Sequence, residues 1–333
     1  MRSGSLVDLA SGTQERLQAI DASDGVVLWA SGVGGTVVRS VDGGASWQVL
    51  PVEGAADLEL RDVEAFGTER AFALAAGPGE QSRILATVDG GATWIERWRN
   101  PEPEAFYDCF DFWTDGRGIA FSDSVGNRLL LAVTRDGVTW NAGPFGPRAL
   151  DGEGGFAASG TCLITGDAGR AWIGTGAGGV ARVLATEDFG TSWAVFETPI
   201  SAGGVLAGGA TAGILSLARD ESGALYAFGG DIADAASRGE RVARSGDGGR
   251  SWMPTKGEPG FAGAIYGGTA RGAGDGAELV AVGPGGAAYS PDAGTSWIGI
   301  DQRSWWSVAW TPMGDAILAG PEGRLARWSP ERE

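Results

Sequence analysis

The sequence predicts an all-β fold, a seven-bladed β-propeller of four-stranded antiparallel blades, from three observations. One pattern, Ser/Thr-x-Asp-x-Gly-x-Ser/Thr-Trp, occurs six times in 333 residues: Ser40–Trp47, Thr87–Trp94, Thr134–Trp140 (one residue short), Thr186–Trp193, Ser245–Trp252 and Ser290–Trp297. Its aspartates, Asp42, Asp89, Asp136, Asp188, Asp247 and Asp292, lie 47, 47, 52, 59 and 45 residues apart, a period that marks a repeat architecture. Strand-like runs flank each copy, as in Thr36-Val37-Val38-Arg39 before the first and Trp47-Gln48-Val49-Leu50 after it, so each copy is the corner of a β-hairpin.

The corner has a physical logic. The Asp42 carboxylate can accept hydrogen bonds from backbone N–H groups about two residues ahead, closing an Asx-type turn. Gly44 supplies a positive φ that a Cβ would resist. Ser46 can bond back to the turn, and Trp47 opens the next strand with a large apolar anchor. Corners spread around a ring point apart, so their carboxylates cannot share an ion. The six aspartates are therefore expected to be structural, with no metal and no other cofactor.

Taken in order, residues 5–12 precede any complete repeat and read as the outer strand of the last blade, donated by the N-terminus. Blade one runs over Arg16–Pro51 and blade two over Leu60–Trp98. Blade three uses FYDCFDF, GIAFSD and LLLAVT and ends near Asn141. Blade four is GEGGFAAS with TCLITGD, AWIGTG, ARVLAT and WAVFE; blade five has ILSLARD, LYAFGG, RVARS and WMPT. Blade six reads GAIYGGTA, ELVAVGPGG, AAYS and WIGI. A seventh unit, WWSVAW, AILAGPEG and RLARW, matches the first blade up to Trp328, where a corner would begin. Closure by the N-terminal strand removes a sheet edge. Six blades is the alternative count. One closed ring uses all of 1–333 as a single domain.

Composition narrows the function classes. The 59 glycines sit in GG, DG and GPGG clusters between apolar runs and punctuate strands. A formal charge of -17 argues against nucleic acid, which needs a basic patch, and against anionic membrane surfaces. No apolar run reaches the length of a membrane-spanning helix. With no histidine, imidazole bases, Ser-His-Asp triads and histidine metal sites are excluded. Cys109 and Cys162 lie in apolar strand contexts and read as buried free thiols. MRSGSLVDLASG lacks the apolar core of a secretory signal. The chain is thus cytoplasmic as written, or exported if a leader was removed.

Loop length locates a binding side. The corners are short and uniform, whereas connections on the opposite face are long: Arg97–Ala105, Gly143–Gly152, Glu197–Ala212 and Asp231–Arg241. Extra length on one face of a rigid scaffold marks the face that binds. Aligning the inner strands sets Arg61-Asp62 against Tyr107-Asp108, with Ser216 and Ser307 in later blades. Glu153 lies just before the inner strand of blade four and Arg182 in its third strand. Arg61, Asp62, Tyr107, Asp108, Glu153 and Arg182 are the candidate ligand contacts at the channel mouth. A mutually paired, solvated ring, with Arg61 on Asp108 or Glu153, is the structural alternative. Trp305, Trp306 and Trp310 read as inter-blade core.

The corners closely resemble the Asp-box, or bacterial neuraminidase repeat. Over nearly its full length the pattern, with SGTQERLQAI, WASGVGGTVVRSVDGGASW, FDFWTDGRGIAFSD, LLLAVTRDG, GEGGFAAS and GPEGRLARW, is similar to the photosystem II stability/assembly-factor propellers and their bacterial relatives. In the photosynthetic members the resemblance implies a non-enzymatic assembly role, binding a membrane-protein partner through one face; for this chain the expectation is a non-catalytic monomer that binds a protein partner. The arginine-rich patch of the photosynthetic members has no equivalent here, so their photosynthetic role is not carried over. Nor does a GxGxxG fingerprint in a βαβ context support an oxidoreductase. The enzyme alternative is a sialidase-like or other glycoside hydrolase, for which Tyr107, Asp108 and Glu153 form the one carboxylate-driven constellation. It lacks a converging set of arginines and an Arg-Ile-Pro type motif.

Overall fold

The computed structural model describes residues 4–22, 25–143, 146–177, 179–202 and 211–331. Seven four-stranded antiparallel sheets follow one another along the chain. Six are built from consecutive strands. The seventh takes Ser307–Trp310, Ala316–Ala319 and Arg324–Pro330 from the C-terminal end and Gly4–Ala10 as its outermost strand. That strand pairs from Gly4 with Pro330 to Ala10 with Arg324. The ring is therefore closed by the N-terminal strand, with seven blades and not six. Among the described residues there is no α-helix, only three single 3-10 turns.

The core is a ring of seven separate clusters, one at each junction between neighbouring blades. Second strands such as Leu28–Gly32 are buried along their length because both faces of a blade are covered. Each corner tryptophan packs toward the preceding blade: Trp47 at the blade seven/one junction, Trp94 at one/two, Trp140 at two/three, Trp193 at three/four, Trp252 at four/five and Trp297 at five/six. Blade seven has no corner, and Trp328 and Leu6 complete the six/seven junction in its place. Burying one such side chain is worth roughly 1.5–3 kcal/mol.

At five corners the carboxylate is held by a common set of bonds. In the first, Ser40 Oγ–H donates to Asp42 Oδ1 at 2.8 Å and the Gly44 N–H donates to Ser40 Oγ at 2.7 Å. Ser46 N–H and Oγ–H then donate to Oδ1 and Oδ2 at 2.8 and 2.5 Å. The same bonds recur at Asp89, Asp188, Asp247 and Asp292. The backbone donor common to them stands four residues after the aspartate, not two. Only the shortened third corner uses the nearer donor, with Val138 and Thr139 N–H both 2.8 Å from Asp136 Oδ1. The glycine after the turn has φ between +79° and +90° in the five full corners, at Gly44, Gly91, Gly190, Gly249 and Gly294. These donors, led by the Ser46 and Thr93 hydroxyls, hold Asp42 and Asp89 down to about 2.

Blade four departs from the others. Its inner strand is only Leu163–Thr165, against seven residues, Leu60–Phe66, in blade two. Just before it, Cys162 is joined by a disulfide to Cys109 on the inner strand of blade three, with Cα atoms 6.0 Å apart. Both cysteines are fully buried, as read from their apolar contexts, but they are not free. Fifty-three residues apart in sequence, they meet because consecutive inner strands lie side by side around the axis.

Candidate functional site: the channel mouth

Within each blade the inner strand runs from one face of the disc to the other. Corners join third to outer strands, so they lie on the face where inner strands end. Arg61, Asp108 and the residues preceding each inner strand lie on the opposite, mouth face. Of the long connections on that face, Arg97–Ala105 is ordered around Asn100, whose amide donates to Gly79, Glu102 and Ala105 carbonyls at 3.0, 2.8 and 3.1 Å. Asp231–Arg241 ends in a fully buried guanidinium that clamps the carbonyls of Pro259, Phe261 and Gly263. Residues 144–145 of the second connection and 203–210 of the third lie outside the described residues.

The inner strands of blades one, two, three and five carry a bulge near their start, and their ladder pairing corrects the alignment of the candidates. Ladder register shifts between Leu17 and Ala19, Leu60 and Asp62, Tyr107 and Cys109, and Ile214 and Ser216. Arg61 therefore corresponds to Asp108, and Asp62 to Cys109, one residue away from the alignment read from the sequence. The bulged residue is Arg61 in one strand and Asp108 in the other, and a bulge re-aims the side chain it carries. Tyr107 matches Leu60 and, like it, belongs to an inter-blade core, its ring 4.7 Å from that of Trp98. Burial pushes its phenol well above the usual tyrosine value. It is not part of the mouth.

The other five candidates gather around one segment of this chain. Residues 154–161, leading from blade three into blade four, cross the mouth. The Gly155 N–H donates to Asp123 Oδ1 at 2.9 Å, and Arg61 Nη1 donates to the Ala157 carbonyl at 3.2 Å. Ser307 Oγ, from blade seven, donates to the Ser159 carbonyl at 3.2 Å. Thr161 Oγ1 lies 2.7 Å from Ser216 Oγ of blade five. A side chain on Gly160 (φ +82°) would collide with the Asp62 carboxylate, so only glycine fits there. Asp62 Oδ2 accepts from the Phe110 N–H at 2.9 Å, tying blade two to blade three.

Glu153, at the root of this segment, is 1 % exposed and fully bonded. It accepts from Leu150 N–H at 2.7 Å, Thr175 Oγ1 at 2.7 Å and Arg182 Nε at 2.8 Å, and Arg182 Nη2 closes the second arm of the ion pair. Arg61 pairs instead with Glu59 at 2.7 Å, and Arg16 shares the same carboxylate at 3.5 Å. Asp108, 2 % exposed, contacts Asp123, a residue the sequence analysis did not single out. Burial, reinforced by the Asp123 charge, pushes Asp108 well above the carboxylate range; burial lifts Asp123 to about 6. Two acids in contact with one Arg61 charge nearby share a proton most stably. Deeper in the channel, burial likewise raises Asp62 and Glu64 and brings Asp111 to about 6. Among the described residues no group of three or more acidic or cysteine side chains is arranged to hold a metal ion.

Around this plugged mouth lies an arc of aromatic and guanidinium groups, one from each of five consecutive blades. Tyr266 meets Trp306 edge to face at 4.9 Å, and the Arg16 guanidinium lies 4.7 Å from the Trp306 ring. Arg61 follows through Glu59, and stands 6.0 Å from the Phe106 ring. Trp305 is core, as read from the sequence, and Trp310, half-buried with Arg271 on its ring, packs against the same blade six/seven core, whereas Trp306 is half-buried and carries Arg16. The common signal is position: Arg16, Phe106, Tyr266 and Trp306 each immediately precede an inner strand.

Among solved structures the chain is similar to one of YCF48 bound to D1 peptide, with a TM-score of 0.64 and 16 % identity over 99 % of this chain and 96 % of that one. It is similar to a streptogramin B lyase, at 0.65 and 10 % over 99 % and 98 %. An ancestral GH74 enzyme matches at 0.62 and 12 %, over 97 % of this chain and 45 % of that one. What they share with this chain is the propeller fold. No protein-family model and no curated protein matches the sequence. A fold hosting a peptide binder, a lyase and a glycoside hydrolase leaves function to be argued from the site.

Proposed function

We propose that this propeller is a non-catalytic, assembly-factor-like module that recognises a protein partner through the face opposite the aspartate corners. The observation that carries this reading is the arc Tyr266, Trp306, Arg16, Arg61 and Phe106. Tyrosine, tryptophan and arginine dominate binding energy at protein interfaces, because they combine large apolar area with a polar edge. The similarity to a propeller bound to a peptide agrees with it. The candidates of the inner mouth support this role indirectly, by fixing the backbone around which the arc is arranged.

A glycoside hydrolase is the second reading, and the Asp108–Asp123 pair is the observation in its favour, since a raised carboxyl can serve as a general acid. Against it, the Glu153 carboxylate is saturated by bonds and the Tyr107 phenol lies in the core.

The test is capture with the intact protein followed by cross-linking. Trp306→Ala and Arg16→Ala are expected to lose a stoichiometric protein that Asp42→Ala retains. Retention by all three variants defeats the assignment to the mouth face. Hydrolysis of a glycoside panel abolished by Asp108→Asn would replace it with the enzyme.

A further inference from the structure

The segment in the channel mouth is held by its main chain. Its Gly155 N–H meets Asp123, and its carbonyls accept from Arg61 and Ser307. With Ser216 on Thr161, blades two, three, five and seven converge on residues 155–161. Donors and acceptors aimed at successive backbone amides are how proteins read extended peptides. Here the peptide, Gly154-Gly155-Phe156-Ala157-Ala158-Ser159-Gly160, belongs to the chain itself, and Phe156 is its one large side chain.

Its two ends are fastened by different chemistry. At the first, Glu153 is locked by Arg182, Thr175 and the Leu150 N–H. At the second, Cys162 is bonded to Cys109, both fully buried. The ionic root needs no change of covalent state. At the second root the Thr161 carbonyl accepts from the Leu217 N–H at 2.7 Å and the Cys162 carbonyl from the Gly174 N–H at 2.8 Å, and the covalent part of the hold exists only while the cysteines are oxidised.

We propose that residues 154–161 are a cis-bound peptide in a backbone-reading site, held by the Cys109–Cys162 disulfide. A dithiol releases it, and the site then accepts an extended, small-residue peptide from another chain. One thiolate of the dithiol attacks a disulfide sulfur, forming a mixed disulfide and freeing the other cysteine. The second thiol displaces the first cysteine. Two cysteine thiols and one oxidised dithiol result, the two electrons coming from the dithiol and the two thiol protons being conserved. Buried sulfurs are reached only when the end of the segment opens, so exchange is slow and follows local opening. This inference concerns the inner mouth and shares Arg61 with the outer arc of the partner reading; Ser307, which is not part of that arc, separates the two.

The full-length protein, oxidised or treated with dithiothreitol, is exposed briefly to chymotrypsin and the cut sites are mapped by mass spectrometry. The proposal expects reduction to raise cleavage after Phe156 roughly tenfold or more while the cooperative thermal transition persists. A labelled Gly-Gly-Phe-Ala-Ala-Ser-Gly peptide, followed by anisotropy, is expected to bind only the reduced protein and to lose binding in Arg61→Ala and Ser307→Ala. Each variant is first checked for its own thermal transition. Equal cleavage before and after reduction, or no peptide binding in either state, overturns the proposal. So does cutting throughout the chain with loss of the transition, which would make the disulfide a brace between blades and not a clamp on the segment.

Discussion

The aspartates of the corners and those of the channel are one residue type driven in opposite directions. At the corners an exposed carboxylate faces two hydroxyls and a backbone N–H, and Asp42 and Asp89 fall to about 2. In the channel, carboxyls from neighbouring inner strands and, for Asp123, from a second strand are desolvated together. Asp111 and Asp123 rise to about 6, with Asp62 and Asp108 pushed well above the usual range. A donor-rich turn stabilises the charged form, whereas burial among like charges favours the neutral one. Location in the ring decides what each carboxylate does.

Three experiments break or sharpen that contrast. The largest effect is expected where a channel charge loses its counter-ion. Arg182→Met leaves the buried Glu153 carboxylate uncompensated and is expected to cost about 3–5 kcal/mol in urea unfolding. A loss under about 1 kcal/mol would mean that Glu153 is not held as an ion.

The pH dependence of stability comes next. Between about pH 6 and 4 the folded chain binds more protons than the unfolded one, because Asp111 and Asp123 titrate near 6 and an unfolded aspartate near 4. Stability therefore rises as pH falls through that window. Between about pH 4 and 2 the sign reverses, since Asp42 and Asp89 stay charged in the folded state while their unfolded counterparts take up protons. The Tm is expected to peak near pH 4, and Asp123→Asn to flatten the slope above it. A Tm that climbs steadily from pH 4 to 7 contradicts the raised channel acids.

The smallest effect is expected at a single corner. Asp42→Ala removes acceptors for Ser40 and Ser46 and should lower the Tm without altering partner capture, the five other corners being separate turns. Loss of capture in this variant would end the division of labour between the two faces.

Much of the architecture was readable along the chain because its cause is local. A Ser or Thr, an Asp, a Gly and a Trp at fixed offsets make a corner wherever they occur, and counting corners and inner strands gives seven blades closed by the N-terminal strand. The mouth was read less well. Glu153 and Arg182 were chosen as charged residues near the axis, and the structure brings them together. Tyr107 faces an inter-blade core and Asp108 takes the place of Arg61, because the ladder pairing, which the strings alone do not display, puts Tyr107 level with Leu60. Asp123 lies in a second strand, where no pattern marks its approach to Asp108.

The sequence by itself determined the corner motif, whose residues lie within eight positions of one another, and the repeat and blade count, which follow from recurrence of that motif and of the strands around it. Only the tertiary structure decided that Cys109 meets Cys162, that Asp108 meets Asp123, and that GGFAASG fills the mouth among four blades. Those contacts join residues from 15 to 148 positions apart along the chain, set by strand pairing within a blade and by ring closure between blades. No local spacing records either.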